Sequence, residues 1–169
     1  MNKMKKQTRR SFLGNFIITT AGLILNPLEL TASQKITLPE KGQINLSDKI
    51  ISGGHFTWAE ATKNGTRIPD KEEIVNNIIK IAYSMEDVRT YLGNHPITIN
   101  SWYRDPKTNN NVNGAKNSQH LYGGAVDFHL KISPKEVYEK LNDWWGNKGG
   151  LGKYSGFTHI DCRGYKTRW

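Results

Sequence analysis

The sequence predicts an α+β fold, a small antiparallel β-sheet with two helices packed against it, and three features carry that prediction. Apolar residues at steps of three and four (Ile74, Ile78, Ile81, Met85, Val88, Leu92) mark one long amphipathic helix. Two short segments, Ala125 to Leu130 and Gly156 to Cys162, alternate polar and apolar side chains as strands do. Ser133-Pro134-Lys135-Glu136 combines a capping serine, a first-turn proline and a glutamate three residues on, the signature of a second helix start.

Taken in order, the chain of 169 residues begins with a basic stretch, an apolar run from Phe16 to Leu25, and Pro27 ahead of small residues around Thr31, Ala32 and Ser33. Residues 1–33 thus have a signal peptide's layout. The run is shorter than the about 20 residues a spanning helix needs, so no membrane span is expected once the leader is removed. The leader holds five basic residues and one acid, accounting for four of the nine net positive charges. The remainder is mildly basic, which suits an anionic polymer such as a cell wall. There is no zinc-finger spacing, RNA-binding signature or basic stripe interleaved with aromatics, which argues against nucleic acid as a partner. A single cysteine, Cys162, rules out an intramolecular disulfide and reads as a small apolar residue on the side of Ile160.

Residues 34–54 read as an extended entry segment ending at the Gly53-Gly54 turn, and 55–169 as one domain, expected to act as a monomer. Phe56 and Trp58 are expected to pack, and His55, lacking a paired spacing, to be no ligand. Asp70 is placed to cap the long helix and Gly93 to end it. After Pro96, Ile97 to Ser101 reads as a strand leading into Trp102-Tyr103-Arg104, and Asp105 to Asn117 as a surface loop. Val137, Leu141 and Trp144 give the second helix its buried face, with Trp145 assigned to the core in preference to lining a binding groove. Gly146 and Gly149-Gly150 lead to the last alternating segment.

The chemistry centres on Ser118 to Asp127, where His120 and Asp127 flank a turn that Gly123 and Gly124 can make with positive φ. Asp127 shares a strand face with His129, and His159 shares one with Asp161. Two histidines and one carboxylate, with a fourth position left to water, is the ligand count of a catalytic zinc site. One cysteine excludes a Cys-rich structural knot. Asp161 is either a general base or the carboxylate that orients a histidine ligand. His129 is either an outer partner or a solvent-facing residue. Arg104, just past a strand end, can pair with a carboxylate, polarise a carbonyl oxygen, or simply lie on the surface.

Three motifs in order, Ser101-x-Tyr103-Arg104, Ser118-x-His120-x-x-Gly123-x-Ala125-x-Asp127 and His159-x-Asp161, resemble the zinc D-alanyl-D-alanine carboxypeptidase family and its endopeptidase and endolysin relatives, the M15-like peptidases. The likeness covers roughly His55 to Trp169. It implies a hedgehog/DD-peptidase-like fold and one Zn2+ ion held by His120, Asp127 and His159. It further implies Arg104 as a catalytic and substrate-binding residue, Ser118 as a donor to the substrate carbonyl rather than a turn cap, and peptidoglycan stem peptides as substrate. Thr8-Arg9-Arg10-Ser11-Phe12-Leu13 resembles a twin-arginine signal, which implies export to the periplasm or cell wall. In one respect the chain departs from the family. Many relatives carry an acid three positions before the last zinc-binding histidine, where Gly156 stands here, so Asp161 is the nominated base. The missing acid also motivates an alternative, a non-catalytic wall-binding domain that keeps metal for stability. A phosphate-directed metalloenzyme has only the basic charge in its favour.

Overall fold

The computed structural model describes residues 34–169, so the expected leader lies outside the described residues. The long apolar stripe forms helix α2 (Glu72–Tyr91), which follows the single-turn helix α1 (Trp58–Ala61). Ile74, Ile78, Ile81, Met85 and Val88 are all buried, as their spacing requires. The start of α2 differs from expectation: Lys71 occupies the cap position in an extended conformation, with no side-chain cap bond from Asp70. At the other end Leu92 caps the helix and Gly93 follows with φ of 89°.

A five-stranded sheet carries the rest. Its strands are β3 (Thr98–Ser101), β4 (Ala125–His129), β5 (Gly150–Lys153), β6 (Thr158–Asp161) and β7 (Thr167–Arg168), in the spatial order β3-β4-β6-β5-β7. All neighbours are antiparallel except β7, which joins the outer side of β5 in parallel. The two alternating segments are therefore adjacent central strands. Val126, Phe128, Leu151 and Ile160 join the α2 stripe in one apolar cluster.

Helix α4 (Pro134–Trp145) starts as expected, with the Ser133 hydroxyl accepting from the Glu136 N–H at 3.2 Å. Val137, Leu141 and Trp145 are buried. Trp144 is only half-buried and stacks on Tyr91 with ring centroids 4.5 Å apart.

Two further elements appear where the sequence suggested irregular chain. The entry segment forms a hairpin, β1 (Lys35–Leu38) and β2 (Gly42–Asn45), that puts Ile36 and Leu38 into the same core cluster. The expected loop after Arg104 contains α3 (Pro106–Asn111), capped by Asp105, whose carboxylate accepts from the Thr108 N–H at 2.7 Å. Thr57 and Glu60 form a reciprocal capping box at α1, whose flanking Phe56 and Trp58 are core, as expected. No helix among the described residues is long and apolar enough to cross a membrane.

Gly123 ties the two halves together. It ends the turn before β4 with φ of 74°, and a Cβ there would stand 2.7 Å from the Ile74 carbonyl oxygen of α2. Gly123→Ala is expected to destabilise the fold by about 1–3 kcal/mol from the left-handed backbone alone. The collision with α2 adds to that. Urea unfolding should show a lowered midpoint.

Candidate metal centre

Strand pairing places the first two side chains. Asp127 of β4 stands directly opposite His159 of β6, and directly opposed residues of antiparallel strands project to the same side of the sheet. The third, His120, arrives on one turn of 3-10 helix (Gln119–Tyr122), which Ser118 caps by accepting the His120 N–H at 3.4 Å. The three side chains are buried and their polar atoms converge. His120 Nε2 lies 3.1 Å from Asp127 Oδ1 and 3.3 Å from His159 Nδ1, and the latter two are 2.7 Å apart. Tetrahedral coordination with bonds of 2.0–2.1 Å separates ligand atoms by about 3.3 Å. A triangle of this size with this donor set fits zinc.

The outer nitrogens of both rings are already engaged, which turns the other nitrogen of each ring toward the cluster. His120 Nδ1–H donates to the Trp102 carbonyl at 2.6 Å. His159 Nε2–H donates to Asp161 Oδ2 at 3.2 Å. Asp161 in turn accepts from the Gly150 N–H and from the Arg163 guanidinium at 2.8 and 2.6 Å. The second oxygen of Asp127 pairs with Arg104, whose Nε also donates to Ser101 Oγ at 2.9 Å.

Protonation follows from these contacts. Burial raises the Asp127 carboxyl, but hydrogen bonds from His120 and His159 outweigh it and hold the group well below the usual carboxylate range. Asp161 behaves alike: burial opposes its charge, and His159, Arg163 and the Gly150 N–H more than compensate. Burial lowers His120. For His159 the same desolvation is overcome by the two flanking aspartates, which raise it. The cluster is thus an anionic carboxylate between a neutral His120 and a His159 whose proton is favoured, and a divalent cation must displace that proton to bind.

These side chains form part of the wall of a cleft of about 730 Å³. Arg67, Arg104 and Ser118 line it, with Tyr154, Phe157 and Trp169. Residues 54–161 match the Peptidase M15 family. The chain belongs to that family. This member of the M15 peptidases is also similar to the zinc D-Ala-D-Ala carboxypeptidase of Streptomyces albus G, 31% identical over 87 residues. That match covers 48% of this chain and 34% of the relative, so the chain spans about a third of the curated protein it resembles.

The structure brings His120, Asp127 and His159 together, with Arg104 bonded to Asp127. Asp161 is placed behind His159 rather than in the cleft. It is fully buried and its oxygens serve His159, Gly150 and Arg163, a geometry that suits orienting His159. The Ser118 hydroxyl lines the cleft and also caps the turn. His129 binds Asn100 at 2.8 Å, and the exposed His55 pairs with Glu86. Arg163 and Trp169 escaped the sequence reading. Trp169 lies with its ring centroid 5.2 Å from that of His159 and donates Nε1–H to the Tyr154 hydroxyl at 2.8 Å. The only available signal was the aromatic and basic character of residues 163–169, which has no diagnostic period.

Replacing Asp161 with Asn should weaken zinc binding about 10–100-fold, the usual cost of losing an outer-shell carboxylate. Competition with a chromogenic chelator measures it. Unchanged zinc affinity with abolished turnover would restore Asp161 as the base.

Proposed function

We propose that the protein is an exported zinc peptidase that hydrolyses peptide bonds of peptidoglycan stem peptides, with one ion held by His120, Asp127 and His159. The observation that carries this reading is the convergence of two imidazole nitrogens and one carboxylate oxygen within 3.3 Å of one another at the wall of a cleft. Family membership and the zinc D-Ala-D-Ala carboxypeptidase relative support the reaction class and substrate. The layout of residues 1–33 supports export.

Zinc bound there supplies a Lewis acid for the scissile carbonyl and makes water acidic enough to attack near neutral pH. The chain's own residues then have separate tasks. Trp102 and Asp161 lock the two imidazole tautomers so that each presents a lone pair inward. His159 and Arg163 keep Asp161 ionised. Arg104 fixes the orientation of Asp127 and adds positive charge beside the reacting carbonyl, where negative charge develops during attack. The Ser118 hydroxyl, accepting from the turn, still has its proton to donate to a substrate carbonyl.

A second reading, a metal-stabilised wall-binding domain without activity, draws on one observation: Asp127 is the only carboxylate among the described residues lining the cleft. Incubating zinc-loaded protein with muropeptides and analysing products by mass spectrometry separates the two. New amine termini are expected. Intact muropeptides that nonetheless bind would favour the binding domain. His159→Ala should abolish turnover and reduce zinc affinity by more than the about 10–100-fold of an outer-shell change. Metal analysis after dialysis provides the check.

A further inference from the structure

Three arginines line the cleft, Arg67, Arg104 and Arg163, and two of them are spent on internal carboxylates. Arg104 pairs with Asp127, and Arg163 grips Asp161 through Nε and Nη2. Arg67 has no carboxylate partner among the described residues. The one hydrogen bond of its side chain, Nη1–H to the Tyr103 carbonyl, is long at 3.5 Å. The side chain is half-buried, so its charge is partly removed from water without being neutralised.

Its surroundings add to the same field. Arg67 also lines a smaller pocket of about 160 Å³, which shares Asn100 and Ser101 with the main cleft and includes Lys63. The one acid there, Glu60, has its Oε2 tied to the Thr57 N–H at 2.7 Å and to the Thr57 hydroxyl at 2.9 Å. A half-buried, unpaired guanidinium with a lysine nearby and its planar fork available is a receptor for a carboxylate.

We infer that Arg67, rather than Arg104, is the residue that binds the free terminal carboxylate of the peptide substrate. Arg104 is held by Asp127 and Ser101, which leaves it to orient the metal-competent carboxylate and to place charge beside the reacting carbonyl, and the specificity for a charged terminus falls to Arg67. This inference rests on the peptidase reading above.

The test uses a pair of N-acylated peptides ending in D-Ala-D-Ala, one as the free acid and one as the carboxamide, with the zinc-loaded full domain. Wild type should prefer the acid about 10–100-fold in kcat/KM, the worth of one charge-assisted contact. In Arg67→Gln that preference should vanish through a higher KM for the acid, making the two peptides near-equal substrates. Arg67→Lys should restore part of it. Zinc content and Tm, measured alongside, should match wild type. Turnover without discrimination in wild type, or discrimination kept in Arg67→Gln, overturns the assignment while leaving the peptidase reading intact. Calorimetric titration of the same peptides into zinc-free protein separates the two claims from the other side. An Arg67-dependent preference for binding the acid without turnover would uphold Arg67 and remove the peptidase. Neither binding nor turnover would remove both.

Discussion

The register of β4 against β6 is the constraint on which the rest of the molecule depends. It sets Asp127 opposite His159 on one side of the sheet while Val126, Phe128 and Ile160 enter the core on the other. A slip of one residue would exchange the two sets, sending a carboxylate into the apolar cluster and phenylalanine into the cleft. The burial of those apolar side chains therefore holds the polar geometry in place. Each strand also has a neighbour on both edges, β3 beyond β4 and β5 beyond β6, so the pair has no free edge along which to drift.

Bringing two imidazoles and a carboxylate out of water is costly unless every outward-facing polar atom finds a partner. The fold meets that demand with a chain of contacts running outward from the cluster: the Trp102 carbonyl behind His120, Asp161 behind His159, Arg163 behind Asp161, and Arg104 behind Asp127. The glycines of β5 make room for it. A Cβ at Gly150 would fall 2.3 Å from Asp161 Oδ2, and one at Gly152 would fall 2.5 Å from Trp169 Nε1. That strand is glycine-rich because a carboxylate and an indole lie flat against its backbone.

Periodic features were legible in the sequence and aperiodic ones were not. The α2 stripe, the alternation around Asp127 and His159, the Ser133 cap and the Gly123 turn each repeat or punctuate the chain in a way that one physical rule decodes. The β1–β2 hairpin escaped because its strands are four residues each and only Ile36 and Leu38 bury fully. Helix α3 was missed although Asp105-Pro106 is a cap followed by a first-turn proline, because the asparagines after it favour loops. Gly149, Gly150 and Gly152 read as a link into the last alternating segment, whereas the latter two lie in β5. What requires those glycines is Asp161 against Gly149 and Gly150 and Trp169 against Gly152, both farther along the chain, and no local pattern announces them. The role of Asp161 was open in the sequence, since position on a shared strand face is equally compatible with touching a water or touching the next histidine. Burial and the direction of His159 Nε2 favour the second.

The position of the cluster also bears on what a bound metal would be for. Structural zinc sites are closed by four protein ligands and do most where a small domain lacks a core. Here the opposite holds. The apolar cluster runs from the hairpin through α2 to the sheet and α4 without passing through the three converging side chains. Among the described residues the group that meets comprises only His120, Asp127 and His159, which leaves a fourth position toward the cleft. A site built beside the apolar cluster, with the outer nitrogen of each ring engaged and one side open to the cleft, is organised for a ligand that comes and goes. That is the physical ground for preferring hydrolysis over a purely stabilising ion.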